Sequence, residues 1–167
     1  MPYSTHQVIY HWITVALILG LVGSGLAYSF ELANAGAIRA HQIMGQVLIL
    51  VIVLRLVARL RRPPSEPEGH EAWELRLAVV THWALYALIL VFLVTGYVSA
   101  SALRDPALLA PVGLAFARSD TGEILLEMHY AAKWALLALV GMHIAGAVKH
   151  AVIDRDGSFS RMWFSQT

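Results

Sequence analysis

HYAAKWALLALVGMHIAGAVKHAVI, His129 to Ile153, decides how this chain is read. It holds no acidic residue and is long enough, at 1.5 Å per helical residue, to cross a hydrocarbon core of roughly 30 Å. Three histidines punctuate it: His129, His143 and His150, with separations of 14 and 7 residues. At about 100° per residue these return to within roughly 40° and 20° of one helical direction. One apolar helix therefore presents a seam of imidazoles, with His129 and His143 about 20 Å apart along its axis. Histidine inside an apolar membrane helix is costly and rare, and its default reading is functional. Two at this depth spacing point to two metal sites, one above the other.

Composition agrees with a membrane setting. The chain has 167 residues, 58% hydrophobic and only 14% charged, with a mean hydropathy of +0.63. The apolar residues come in bands rather than in the stripes of a soluble helix. A net charge of +1 says nothing about partners, and no basic tract suggests nucleic acid. Cysteine is absent, which removes disulfides, thiolate nucleophiles, iron–sulfur ligation and covalent haem attachment. Eight histidines become the main source of metal ligands.

Working outward from His129–Ile153, three more bands are long enough to span: about Val8 to Phe30, His41 to Leu60, and Leu77 to Ala100. Ala33-Asn34-Ala35 resembles a cleavage site, but the residues before the first band include no Lys or Arg, so that band reads as a retained span. Pro63-Pro64 and Pro67 stop the second band, and the charges that follow belong in water. Arg104 to Met128 reads as a connection whose apolar run, Ala107 to Ala117, is too short to span and lies along the interface. The expected fold is an all-α transmembrane four-helix bundle, one domain over residues 1–167.

Four spans put both termini and the loop between spans two and three on one side. That side collects Arg55, Arg59, Arg61, Arg62, Arg76, Lys149, Arg155 and Arg161, against Arg39, Arg104, Arg118 and Lys133 on the other. The bias predicts both termini in the cytoplasm of a bacterial inner membrane.

The histidines then sort by depth. His41, at the outer start of span two, matches His129; His11, near the inner start of span one, matches His143. Two imidazoles from facing helices are what a haem iron needs, because axial ligands approach opposite faces of a flat macrocycle. Zinc fits less well: each pair supplies two ligands, the spans hold no carboxylate, and zinc generally takes three or four protein ligands. Gly20, Gly23, Gly25, Gly45, Gly141 and Gly146 thin helix faces, which serves a macrocycle or close helix packing equally. A lone membrane histidine often only bonds a neighbouring helix; four in two depth-matched pairs favour metal.

The pattern Tyr10-His11-Trp12, His41 with Gly45, His129 and His143 fourteen apart, and the tail DRDGSFSRM from Asp154 to Met162 resembles the bacterial cytochrome b561 family over nearly the whole chain. The resemblance implies a membrane cytochrome with two haem b groups, held by His11 with His143 and His41 with His129. It also implies electron transfer to or from quinone, and His82 and His150 look like positions tied to quinone binding in superoxide-oxidising members. From the residues alone, His82 and His150 stand at the inner surface beyond the inner pair, either as proton partners for a quinone or merely solvated. No catalytic residue is assigned. Arg55 and Arg59 share a face and serve as positive-inside anchors or propionate partners; His6 and His70 read as solvated.

Two functions of different class remain. One is a superoxide:quinone oxidoreductase, with Arg39 and Lys133 steering the anion at the outer face. The other is a cytochrome anchor that docks a soluble redox subunit of a dehydrogenase or hydrogenase. Little chain lies outside the lipid to dock such a partner, which favours the first.

Overall fold

Four long helices correspond to the four apolar bands in a computed structural model that describes residues 3–32, 34–63, 71–102 and 112–163. They are α1 (Thr5–Ser29), α2 (Ala35–Arg61), α3 (Ala72–Ser101) and α5 (Asp120–Val148), with a single turn, α4 (Leu114–Ala117), before the last. Each is long and apolar enough to cross a membrane. No strand occurs among the described residues.

Capping residues set the starts. The Ser4 hydroxyl accepts from the Gln7 backbone N–H, and the Gln7 side chain returns the bond to the Ser4 N–H at 2.9 Å, a reciprocal capping box. The Gln7 amide also donates to the carbonyls of Arg62 at 2.9 Å and Ala58 at 3.3 Å, closing the open end of α2. Asn34 caps α2 and Ser119 caps α5, where Asp120 and Glu123 complement the helix dipole.

Three helices start earlier than hydropathy implies. α2 begins at Ala35 rather than near His41, α3 at Ala72 rather than near Leu77, and α5 at Asp120 rather than near His129. The reason differs by helix: α5 opens on the polar turn Asp120–Glu123, α3 on a stretch that carries Glu74 and Arg76, and α2 on small residues after the Asn34 cap, with Arg39 following. Residues Asp120 to Met128, expected in a connection, are therefore helix. Of the expected interfacial run, Leu114–Ala117 forms one helical turn, and residues 107–111 lie outside the described ones, as do Pro64 and Pro67.

α1 packs along α2 and α3 along α5, and α2 against α3 joins the two pairs. Leu48 and Ile52 of α2, Ile89 of α3 and Leu136 of α5 form the buried centre. Leu136 stands midway between His129 and His143 in sequence, so this apolar layer separates an upper from a lower histidine level. The exterior is apolar as well: Leu19 is 64% and Val80 63% exposed, as suits side chains that meet lipid. Polar groups inside are satisfied locally. Thr14 donates to the Tyr10 carbonyl at 2.6 Å and Ser99 to that of Thr95 at 2.8 Å. No buried side-chain polar atom among the described residues lacks a partner.

Candidate functional site

The upper level, at the end away from the termini, contains a cavity of about 430 Å³ floored by Ile89 and Leu136. His41 of α2 and His129 of α5 line it, their ring centres 6.2 Å apart and their planes 76° apart. A dipeptide on a neighbouring helix serves each ring. On α1, Ser24 donates its hydroxyl proton to the Gly20 carbonyl at 2.7 Å and meets His41 Nδ1 at 2.9 Å. On α3, Thr95 donates to the Val91 carbonyl at 2.7 Å and meets His129 Nδ1 at 3.0 Å. With each hydroxyl proton already committed, the oxygen accepts from an Nδ1–H. That tautomer leaves the lone pair of each neutral imidazole on Nε2, as metal ligation requires.

The glycine after each hydroxyl residue makes room for the ring. A Cβ at Gly96 would lie 2.9 Å from His129 Cε1, and one at Gly25 would lie 3.5 Å from His41 Cε1. Sequence reading found Gly25 but missed Ser24, Thr95 and Gly96. The available signal was a hydroxyl residue followed by glycine in mid-helix, once on α1 and once on α3.

At the lower level His11 and His143 stand with ring centres 6.4 Å apart. An iron–imidazole bond of about 2 Å on each side, with each ring centre about 1 Å beyond its nitrogen, sets two axial imidazoles about 6 Å apart. Both pairs, at 6.2 Å and 6.4 Å, match this. His82 does not stand beyond the lower pair as expected. Its ring centre is 5.1 Å from that of His143, too close for those two to share one iron. The early start of α3 is the cause, since it sets His82 about 15 Å into the helix at 1.5 Å per residue. His82 Nδ1 donates to the Ala78 carbonyl at 2.6 Å.

Arg55 distinguishes the two levels. Its Nη2 donates to His11 Nδ1 at 2.9 Å, and its guanidinium lies 5.6 Å from the centre of the Tyr86 ring. A guanidinium only donates, so His11 carries its proton on Nε2 when neutral. The lower pair is spaced for an iron, but ligation through His11 Nε2 requires Arg55 to release Nδ1. The upper pair needs no such change.

Below this level α5 widens into a π-helical turn, Lys149–Asp154, a distortion frequent at functional sites. His150 lies in it, with Nδ1 2.6 Å from Asp156 Oδ2 and 3.1 Å from Asp154 Oδ2. Partial burial pushes the Asp156 carboxyl up, but hydrogen bonds from Ser158 and His150 outweigh it and hold the group at about 2. The tail then runs back to α1, where Trp12 Nε1 donates to the Met162 carbonyl at 2.8 Å and the Trp12 and Trp163 rings meet edge to face. Tyr10-His11-Trp12 and DRDGSFSRM are thus two sides of one contact. His6 is exposed; His70 lies outside the described residues.

Cytochrome b561 homolog 2 of Escherichia coli strain K12 is 27% identical over 170 residues, covering 96% of this chain and 90% of that protein. A family model described as prokaryotic cytochrome b561 matches residues 3–165. Four helices able to span a membrane and that match over nearly the whole chain identify it: the protein belongs to the prokaryotic cytochrome b561 family, multi-pass bacterial membrane proteins that bind haem b and transfer electrons.

Proposed function

We propose that this protein is a superoxide:quinone oxidoreductase of the inner membrane, with two haem b groups and both termini in the cytoplasm. The observation that carries the haem count is the pair of imidazole pairs at two levels, with ring centres 6.2 Å and 6.4 Å apart. His41 and His129 would hold the outer haem, His11 and His143 the inner one. Bound there, the haems supply one-electron carriers at two depths of the bilayer.

The chain's own residues divide the remaining work. Ser24 and Thr95 fix the outer imidazoles by accepting from Nδ1. Lys133 is the one charged side chain among the described residues lining the outer cavity, and its ammonium donates to Ser29 Oγ at 2.9 Å. A cation at that mouth favours an anionic donor such as superoxide. Arg55, on leaving His11, would offer that Nη2 donor to an inner propionate while staying beside Tyr86. His150, at the end that carries the termini, and His82, at the level of the lower pair, would serve as partners for a quinone, the protons coming from that side.

Mixing purified protein with superoxide and a soluble quinone, while following haem absorption and quinol formation, tests this reading. Two superoxide ions, one quinone and two protons should give two dioxygen molecules and one quinol. Haem that superoxide leaves oxidised would remove superoxide as donor, and a soluble redox subunit that co-purifies would favour the anchor role instead.

A further inference from the structure

Three sides of the bundle are closely packed: α1 lies along α2, α3 along α5, and α2 against α3. Near approaches mark these seams. A Cβ at Gly20 of α1 would lie 2.7 Å from Met44 Sδ of α2, and one at Gly96 of α3 would lie 2.9 Å from His129 Cε1 of α5. Between α2 and α3, Leu48, Ile52 and Ile89 are buried together. The fourth side, α1 against α5, is packed less closely. At its lower end the tail bridges it, where Trp12 meets Met162 and Trp163.

Its upper end carries two side-chain pairs. The rings of Tyr28 and Tyr130 stack with centres 6.5 Å apart and planes 8° apart, within the range of attractive aromatic pairs. Beside them Lys133 Nζ donates to Ser29 Oγ at 2.9 Å, and Ser29 donates in turn to the Gly25 carbonyl at 3.1 Å. All four residues line the outer cavity, yet Tyr28 is 49% and Tyr130 42% exposed. They therefore stand between the cavity and its surroundings. Tyr28 and Ser29 lie one turn beyond Ser24 and Gly25, the residues that serve His41, while Tyr130 and Lys133 lie next to and one turn from His129. Tyrosine at a membrane interface is common without such a role, but here two rings stack across the loosest side of the bundle.

We infer that the seam between α1 and α5 is the opening through which the outer cavity takes up its haem, and that Tyr28 with Tyr130 and Ser29 with Lys133 latch it shut. This rests on the reading that His41 and His129 hold that haem. Each ring is supported within its own helix pair, His41 by Ser24 of α1 and His129 by Thr95 of α3. Swinging α1 with α2 away from α3 with α5 would therefore part the two imidazoles and leave both tautomers set. What must break at the upper end is one aromatic stack and one hydrogen bond, whereas the other three sides would have to give up close packing.

The chain has no cysteine, so Tyr28→Cys with Tyr130→Cys supplies the only two thiols, and a short bis-maleimide joins α1 to α5. Haem-loaded protein, cross-linked or not, is mixed with excess apomyoglobin, and haem transfer is followed by absorption. The spectra of His129→Ala and His143→Ala tell outer haem from inner. Cross-linking should slow loss of the outer haem about tenfold or more and leave loss of the inner haem unchanged. Tyr28→Leu with Lys133→Met should speed outer-haem loss about tenfold, with the low-spin spectrum of the loaded site as in wild type. If the first cysteine pair does not accumulate, Ser29→Cys with Lys133→Cys, joined in the same way, gives the same reading. An outer-haem rate that the cross-link leaves unchanged, or slows together with the inner rate, overturns the inference alone. Unchanged haem content in His129→Ala overturns the ligand assignment and this inference together.

Discussion

At His129 a hydroxyl and a hydrogen atom decide the chemistry. Thr95 selects the tautomer, and the missing Cβ of Gly96 admits the ring. Gly96→Ala would bring a methyl to 2.9 Å from the imidazole, closer than real contacts allow, whereas Gly25→Ala would make an ordinary 3.5 Å contact with His41. We expect Gly96→Ala to lower the outer haem content, with overpacking of about 1–3 kcal/mol, and Gly25→Ala to be tolerated; haem absorption per protein distinguishes them. His143→Ala should lose the inner haem or make its iron high-spin, while His150→Ala should leave both haems low-spin, which electron paramagnetic resonance reads. The Asp156 carboxylate has a folded value of about 2 against 3.8 ordinarily. The stability it contributes is therefore present above pH 3.8 and is lost as pH falls towards 2, so a probe of tail attachment should change in that window. The paired histidines were legible because four imidazoles in apolar helices have few other uses. Ser24, Thr95 and Gly96 were not, because a hydroxyl or glycine in a membrane helix equally serves packing, and only the facing ring tells the uses apart.

The helices were legible as elements from their apolar runs, but their ends were not. Asn34, Glu71 and Ser119 precede stretches with Gly36 and Arg39, Glu74 and Arg76, and Asp120 and Glu123, which interrupt the apolar run but continue the helix. The error mattered once, at His82, where an extra turn and a half of α3 carries the ring to the level of His143 rather than beyond it. At the other end of the same side, DRDGSFSRM reads as a polar tail, yet it turns on Arg155 and Gly157 and docks on Trp12. Trp12→Phe keeps most of the apolar contact but removes the bond to the Met162 carbonyl. We expect it to weaken docking by about 1 kcal/mol and to speed proteolytic cleavage of the tail, with haem content unchanged. Equal cleavage rates would show that ring packing alone holds the tail.

Across the whole molecule, two histidine levels are separated by the apolar layer of Leu48, Ile52, Ile89 and Leu136. The layer follows from sequence spacing, since Ile89 and Leu136 each fall about two turns from a histidine of their own helix. Orientation rests on the excess of Arg and Lys at the end that carries the termini, and reporter fusions near residue 163 should be active in the cytoplasm. Activity on the outer side would invert the assignment of donor and quinone ends. The central claim is two imidazole pairs, each holding one iron. Haem b per polypeptide, measured by pyridine haemochrome against amino-acid analysis, should be two; a value of one, or none, would contradict it.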